Sequence, residues 1–239
     1  MATYAAQIDS LDQNVGRVMQ ALRRAGVDKN TLVFFLSDNG SSDSERSASL
    51  DKPGATWRED GTPTKVGNTP DVQPGPANYF VMAGPAWANV ANTPFRQHKQ
   101  SNHEGGIASP LIVSWPGVVV KPGTVSPQMA HIADILATCL DVAGVQYPKR
   151  FGERNVLPLA GRSLLPVLKG SQAETHESLC WATTGNRAVR VGKWKLVSNQ
   201  DRPWELYDLE TDRTELNDLA ARQPERVQSM AAIFEDWRR

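Results

Sequence analysis

A chain of 239 residues is long enough to bury a core of its own, as one large domain or two small ones. Its 26 Lys plus Arg balance 26 Asp plus Glu, which argues against a phosphate-tracking nucleic-acid binder but leaves room for a pocket that holds a small anion. At 40% hydrophobic and 22% charged residues the composition is that of a soluble globular protein, and no run of about 18 apolar residues marks a membrane span.

Residues 4–25 predict an amphipathic helix, because Ile8, Leu11, Val15, Val18 and Leu22 recur at three- and four-residue steps ahead of Gly26. TLVFFL (31–36) follows, an unalternating apolar run that predicts a parallel strand buried on both faces of an α/β sheet and closed by the turn Ser37-Asp38-Asn39-Gly40. Residues 41–78 turn to Ser, Asp, Gly, Pro and Thr and read as a long loop. PLIVSW (110–115) is a second buried-strand candidate, and residues 131–143 predict a helix with Ile132, Ile135, Leu136, Cys139 and Leu140 on one side. GRSLLPVLKG (161–170) is a short apolar turn and helix. After about residue 176, four short segments read as an antiparallel meander with one wet face, and Gln223-Pro224 opens a closing helix. The boundary expected from this change of character divides the chain into 1–175 and 176–239. The chain start lacks the basic stretch and apolar core of a secretory signal. Cys139 and Cys180 form no CxxC pair, and Cys139 in its apolar setting reads as a buried free thiol.

Two clusters could carry chemistry. Asp38 and Asn39 place a carboxylate and an amide oxygen at a strand's carboxyl end, where ligands of open α/β sheets gather, and such donors suit Ca²⁺ or Mg²⁺. Asp-Asn-Gly is equally a tight turn on its own. FRQHKQSNHEGG (95–106) brings cations, a carboxylate and a Gly-Gly pair together ahead of a strand. A lysine there could offset the charge of a tetrahedral anion, and a histidine could protonate a leaving oxygen. A solvated loop is the plain alternative for any one of these residues.

The order TLVFFLSDNG, GPAWANVANTPFRQHKQSNHEGGIASPLIVSWPG, HIADILATCLDVAGV, GRSLLPVLKG, RAVRVGKWKLV and WELYDLETDRTELNDLA resembles the C-terminal half of type I sulfatases, and bacterial arylsulfatases most of all. The resemblance implies part of an alkaline-phosphatase-like α/β core plus a C-terminal four-stranded antiparallel sheet with a packing helix. It implies hydrolysis of a small sulfate ester, Ca²⁺ with Asp38 and Asn39 among its ligands, and Lys99, five residues before Glu104, as the sulfate-binding lysine. His103 falls where relatives vary and is either a catalytic, substrate-side residue or part of the loop's packing. Glu104, Gly105 and Gly106 shape the loop, and His98, His131 and Asp134 take structural or surface roles. A periplasmic or secreted parent enzyme, without nucleic-acid or membrane partners, is the implied setting.

The family makes a formylglycine nucleophile from a Cys or Ser in C/S-x-P-x-R, and neither CLDVA at Cys139 nor CWATT at Cys180 fits that pattern. The N-terminal Asp-Asp pair and the central His and Lys-x-His elements are missing as well. The expectation is a chain inactive alone, with weak calcium affinity and an apolar face that the missing half or self-association would cover. The alternatives are a phosphonate or phosphodiester hydrolase of the same superfamily, and a non-catalytic anion- or partner-binding protein.

Overall fold

The computed structural model describes residues 2–44, 60–62, 65–66, 75–76, 78–172, 175–183 and 185–239, so the loop expected over 41–78 lies largely outside the described residues. In chain order the elements begin with α1 (Ala2–Arg24), β1 (Val33–Leu36), β2 (Lys65–Val66), β3 (Tyr79–Phe80), α2 (Gly84–Ala91), α3 (Glu104–Ile107) and β4 (Leu111–Ser114). They continue with α4 (Ala133–Ala143), β5 (Arg150–Phe151), β6 (Arg154–Asn155), α5 (Leu165–Leu168), β7 (Leu179–Thr183), β8 (Asn186–Val191), β9 (Trp194–Ser198), β10 (Glu205–Asp208) and α6 (Pro224–Arg238). The chain forms two compact units. One gathers Met1–Ala21, Asn39–Pro110 and Cys180–Arg239, and the other gathers Leu22–Asp38 and Leu111–Leu179.

The apolar spacing at the chain start does produce a helix, and α1 ends where expected. Gly26 adopts φ 69°, its N–H bonds Arg23 O at 3.0 Å and the Val27 N–H bonds Leu22 O at 3.1 Å, so the last carbonyls are satisfied by a glycine that alone tolerates this backbone freely. Yet α1 buries none of its residues, and Tyr4, Ile8, Leu11 and Val18 all face out.

In the first unit β10-β9-β8-β7 make a four-stranded sheet in that order, as the segment pattern predicts. One face, with Val189, Leu196 and Leu206, packs on Met230 and Phe234 of α6, and this is the main core. The other face was expected to be wet, and it is not. Ala188, Val197, Tyr207 and even Lys195 on that face are buried. The alternation in GKWKLV is real, but ion pairing lets the charged position be buried.

In the second unit β1 and β4 pair antiparallel, with Phe35 opposite Ile112. The expectation of a parallel strand buried on both faces is corrected here, because Phe35 is 42% exposed and Ile112 60% exposed. Among the described residues this sheet has two strands, and one face of the ribbon keeps its cross-strand apolar pair in solvent. α4 also turns the other way. It buries Asp134, Ala137 and Thr138, while Ile132, Leu136 and Cys139 are exposed, so Cys139 is not the buried thiol its neighbours predict. The polar side wins because it is needed to bond the chain beside it. Asp134 accepts from His131 N (2.7 Å), Arg162 N (2.8 Å) and His176 Nε2 (2.8 Å), and Thr138 Oγ1 accepts from Leu164 N (2.9 Å). Gly161 lies so close that any Cβ would run into the Ala133 carbonyl. The structural role expected for Asp134 has this geometry.

Candidate functional site

The site begins at the end of α2. Asn92 follows that helix, the chain passes a cis Thr93–Pro94 bond, and residues 95–106 fold back on themselves beneath the turn 39–41. Two backbone hydrogen bonds join turn and loop, from Gly40 N to Gly106 O and from Lys99 N to Ser41 O, each 2.9 Å. The glycines are required by these approaches. A Cβ on Gly40 would strike the Gly105 carbonyl, and one on Gly105 would strike the carbonyls of Arg96 and Gln97. Gln97 (φ 68°) and Gln100 (φ 76°) hold left-handed conformations on either side of His98 and Lys99, a local strain that the surrounding bonds must offset. The Gln97 carbonyl accepts from Asn92 Nδ2 (3.1 Å) and the Gln100 carbonyl from Asn186 Nδ2 (2.7 Å).

Beneath the loop, the buried face of the C-terminal sheet supplies a charged floor. Lys195 Nζ lies 2.7 Å from Glu104 Oε1 and 2.8 Å from Glu215 Oε1. Glu215 Oε2 also accepts the Glu104 N–H (2.8 Å), and the Glu215 carbonyl accepts from Arg96 (2.7 Å). Burial by itself would raise the Glu104 carboxyl, but the Lys195 ammonium beside it brings it below the ordinary carboxylate value. These partners neutralise charges that could not otherwise be buried.

His103 stands on the same floor. Asn199 Nδ2 donates to its Nδ1 at 3.0 Å, so Nε2 carries the proton and donates to Glu205 Oε2 at 3.0 Å. The Tyr207 hydroxyl donates to that same Glu205 oxygen at 2.6 Å. Burial lowers the His103 pKa below its ordinary value, in spite of the raising effect of Glu215 and Glu205, so the ring is neutral near pH 7. Glu205 is held low because its bonds to Tyr207 and His103 outweigh the raising effect of burial, while burial and Glu205 together push the Tyr207 hydroxyl up.

The structure therefore brings Asn39, Lys99 and His103 into one stretch of bonded chain, with unlike surroundings. The Lys99 side chain is exposed, whereas His103 is 2% exposed with both ring nitrogens engaged. Asn39 is half-buried, and Asp38, the residue before it, is exposed. A carboxylate and an amide oxygen have the donor chemistry for calcium, but two residues fall well short of six or more oxygens. Among the described residues no group of three or more His, Cys, Asp or Glu could hold a metal ion, so the residues present do not by themselves fit the ion. Burial pushes the Cys180 thiol up to about 11, which makes it a poor nucleophile. His98 lies part-exposed, 3.5 Å from Asp43, and His131 precedes α4, its Nδ1 accepting the Ala133 N–H at 3.2 Å.

Sequence reasoning missed Asn92, Arg96, Lys195, Asn199 and Glu215 as parts of this network. Only Lys195 left a local signal, a lysine in a strand between large apolar residues. Arg96, Asn199 and Glu215 act across about a hundred residues of chain, and Asn92 reaches both Gln97, five residues on, and Ser41, 51 residues back.

Comparison with known proteins agrees with this architecture. Residues 1–145 match the family model described as Sulfatase, and residues 97–235 match one described as N-sulphoglucosamine sulphohydrolase, C-terminal. The chain belongs to the sulfatase family. It is 34% identical over 232 residues to an uncharacterized sulfatase of Schizosaccharomyces pombe, covering 94% of this chain and 41% of that protein. It is 33% identical over 169 residues to an arylsulfatase of Klebsiella aerogenes, covering 70% and 34%. The crystal structure of Ps i-CgsB superposes with a TM-score of 0.70 at 22% identity, covering 98% of this chain and 42% of that one, which speaks to fold alone. The chain thus spans less than half the length of these relatives, and its fold is the corresponding part of the alkaline-phosphatase-like α/β fold with the C-terminal sheet and helix attached.

Proposed function

We propose that this chain supplies the anion-holding part of a sulfate-ester hydrolase of arylsulfatase type. The observation that supports the reading is the pair of backbone bonds that stitches the 39–41 turn to the Lys99 loop, since it ties the backbone of an exposed lysine to the turn that begins at Asn39. Lys99 is the residue we assign to the sulfate group: a compact cation on a flexible stem suits a tetrahedral anion, and its loop is anchored on both sides. Asp38 and Asn39 would be two oxygen donors toward the calcium ion that the resemblance implies, too few to hold it by themselves.

His103 enters this reading as a positioning residue. Its Nε2 proton is committed to Glu205 and its Nδ1 to Asn199, so it holds the loop's floor in place. The sequence has no C/S-x-P-x-R segment, and attack on sulfur needs a nucleophile that these residues do not provide. The chain alone is therefore expected to bind an aryl sulfate and leave it intact.

The test combines calorimetric titration of the purified chain with 4-nitrophenyl sulfate and an assay for 4-nitrophenol. Binding without turnover, lost in Lys99→Ala, supports the reading. Turnover lost in Lys99→Ala would overturn its inert half, and binding that ignores Lys99 would overturn the assignment itself.

A further inference from the structure

One side chain touches both halves of the site without belonging to either. Asn92 ends α2, with its own N–H on Ala88 O at 3.2 Å, and Ala88 is fully buried, so the backbone of Asn92 is rooted in packed helix. From there its amide uses both ends. Oδ1 accepts the Ser41 N–H at 2.9 Å, and Nδ2 donates to the Gln97 carbonyl at 3.1 Å. The orientation of this amide is unambiguous, because a backbone N–H can only donate and a carbonyl can only accept. Ser41 in turn receives the Lys99 N–H on its carbonyl at 2.9 Å. A closed circuit results: Asn92 to Ser41, Ser41 to Lys99, and back from the left-handed Gln97 to Asn92.

We propose that Asn92 is a positioning residue that sets the register between the 39–41 turn and the anion-holding lysine. The proposal rests on the sulfate assignment of Lys99 made above, and it adds a residue that would touch neither ion nor substrate. Its physical basis is that an amide is the short side chain that both donates and accepts on one rigid plane. Alanine would release both partners, and aspartate could accept from Ser41 but could not donate to Gln97.

The test uses the full chain in four forms: wild type, Asn92→Ala, Asn92→Asp and Lys99→Ala. Amide hydrogen exchange is read at Ser41 and Lys99, and inorganic sulfate is titrated against each form, with tryptophan fluorescence confirming that the chain is folded. In Asn92→Ala, exchange at both amides should quicken and sulfate affinity should fall by about tenfold, the size expected for losing a bond that holds a site together. Asn92→Asp, isosteric and a safeguard should the alanine variant not fold, should keep Ser41 protected while Lys99 exchanges faster. Wild-type affinity and exchange in folded Asn92→Ala, with binding lost in Lys99→Ala, would overturn this inference and leave the sulfate assignment standing. A wild-type chain that binds no sulfate would overturn both.

Discussion

Lys195 Nζ approaches Glu104 Oε1 to 2.7 Å with both side chains buried, and the lysine itself is 0% exposed. With Glu215 on its other side, this ammonium is what allows two carboxylates to lie under the 96–106 loop. Removing it strands them. Lys195→Met, which keeps the stem and deletes the charge, is expected to destabilise the chain by about 3–5 kcal/mol. Urea unfolding followed by tryptophan fluorescence measures this, and a loss near zero would mean that the pair is replaceable.

Acid should loosen the same floor. The His103 pKa lies below its ordinary value of 6.5, so the folded form binds its proton less readily than the unfolded chain does. Stability from this group is therefore fully present above the unfolded value and is lost as pH falls through the folded one. Glu205, also held low, acts in the same direction further into acid. The urea midpoint of the wild type should fall between pH 7 and pH 5, and His103→Gln should flatten that slope. Equal slopes in the two proteins would contradict the neutral, buried assignment.

Glycine substitutions separate close approach from mere flexibility. A Cβ on Gly105 meets two carbonyls, so Gly105→Ala should cost about 2–3 kcal/mol and weaken sulfate binding with it. Gly16 lies within α1, where a Cβ meets nothing within 4 Å, and Gly16→Ala should stabilise the helix by about 0.5–1 kcal/mol. Thermal melts of the two variants should move in opposite directions.

In the second unit, Asp134→Ala leaves the donors of His131, Arg162 and the buried His176 without their acceptor. A loss of about 3–5 kcal/mol is expected, accompanied by faster exchange of the Arg162 amide. Unchanged exchange at Arg162 would show that another acceptor replaces the carboxylate.

Much of the architecture could be read from local pattern. The periodicity of residues 4–25, the Gly26 stop and the four-stranded C-terminal sheet all follow from short-range chemistry, and all are present. Burial was harder to read. An apolar run says that a strand can be buried, not that something covers it, and Phe35 and Ile112 remain half in solvent. The same limit applies to Cys139, whose apolar neighbours suggested a core while α4 turned its small polar side inward. For the site, the turn and loop motifs together with the family resemblance singled out Asp38, Asn39, Lys99 and His103, but not the residues that hold them. Asn92, Asn199 and Glu215 act through side-chain bonds to distant backbone, and no periodicity or turn signature records such a bond.

The central claim is that the 39–41 turn and the Lys99 loop form one anion-holding unit. The most direct measurement is a nitrogen-15 amide spectrum of the chain during titration with inorganic sulfate. The amides of Gly40, Lys99, Gly105 and Gly106 should shift together along one saturating curve, and the shifts should vanish in Lys99→Ala. Shifts that persist unchanged in Lys99→Ala, or that leave these four amides unmoved while others respond, would contradict it.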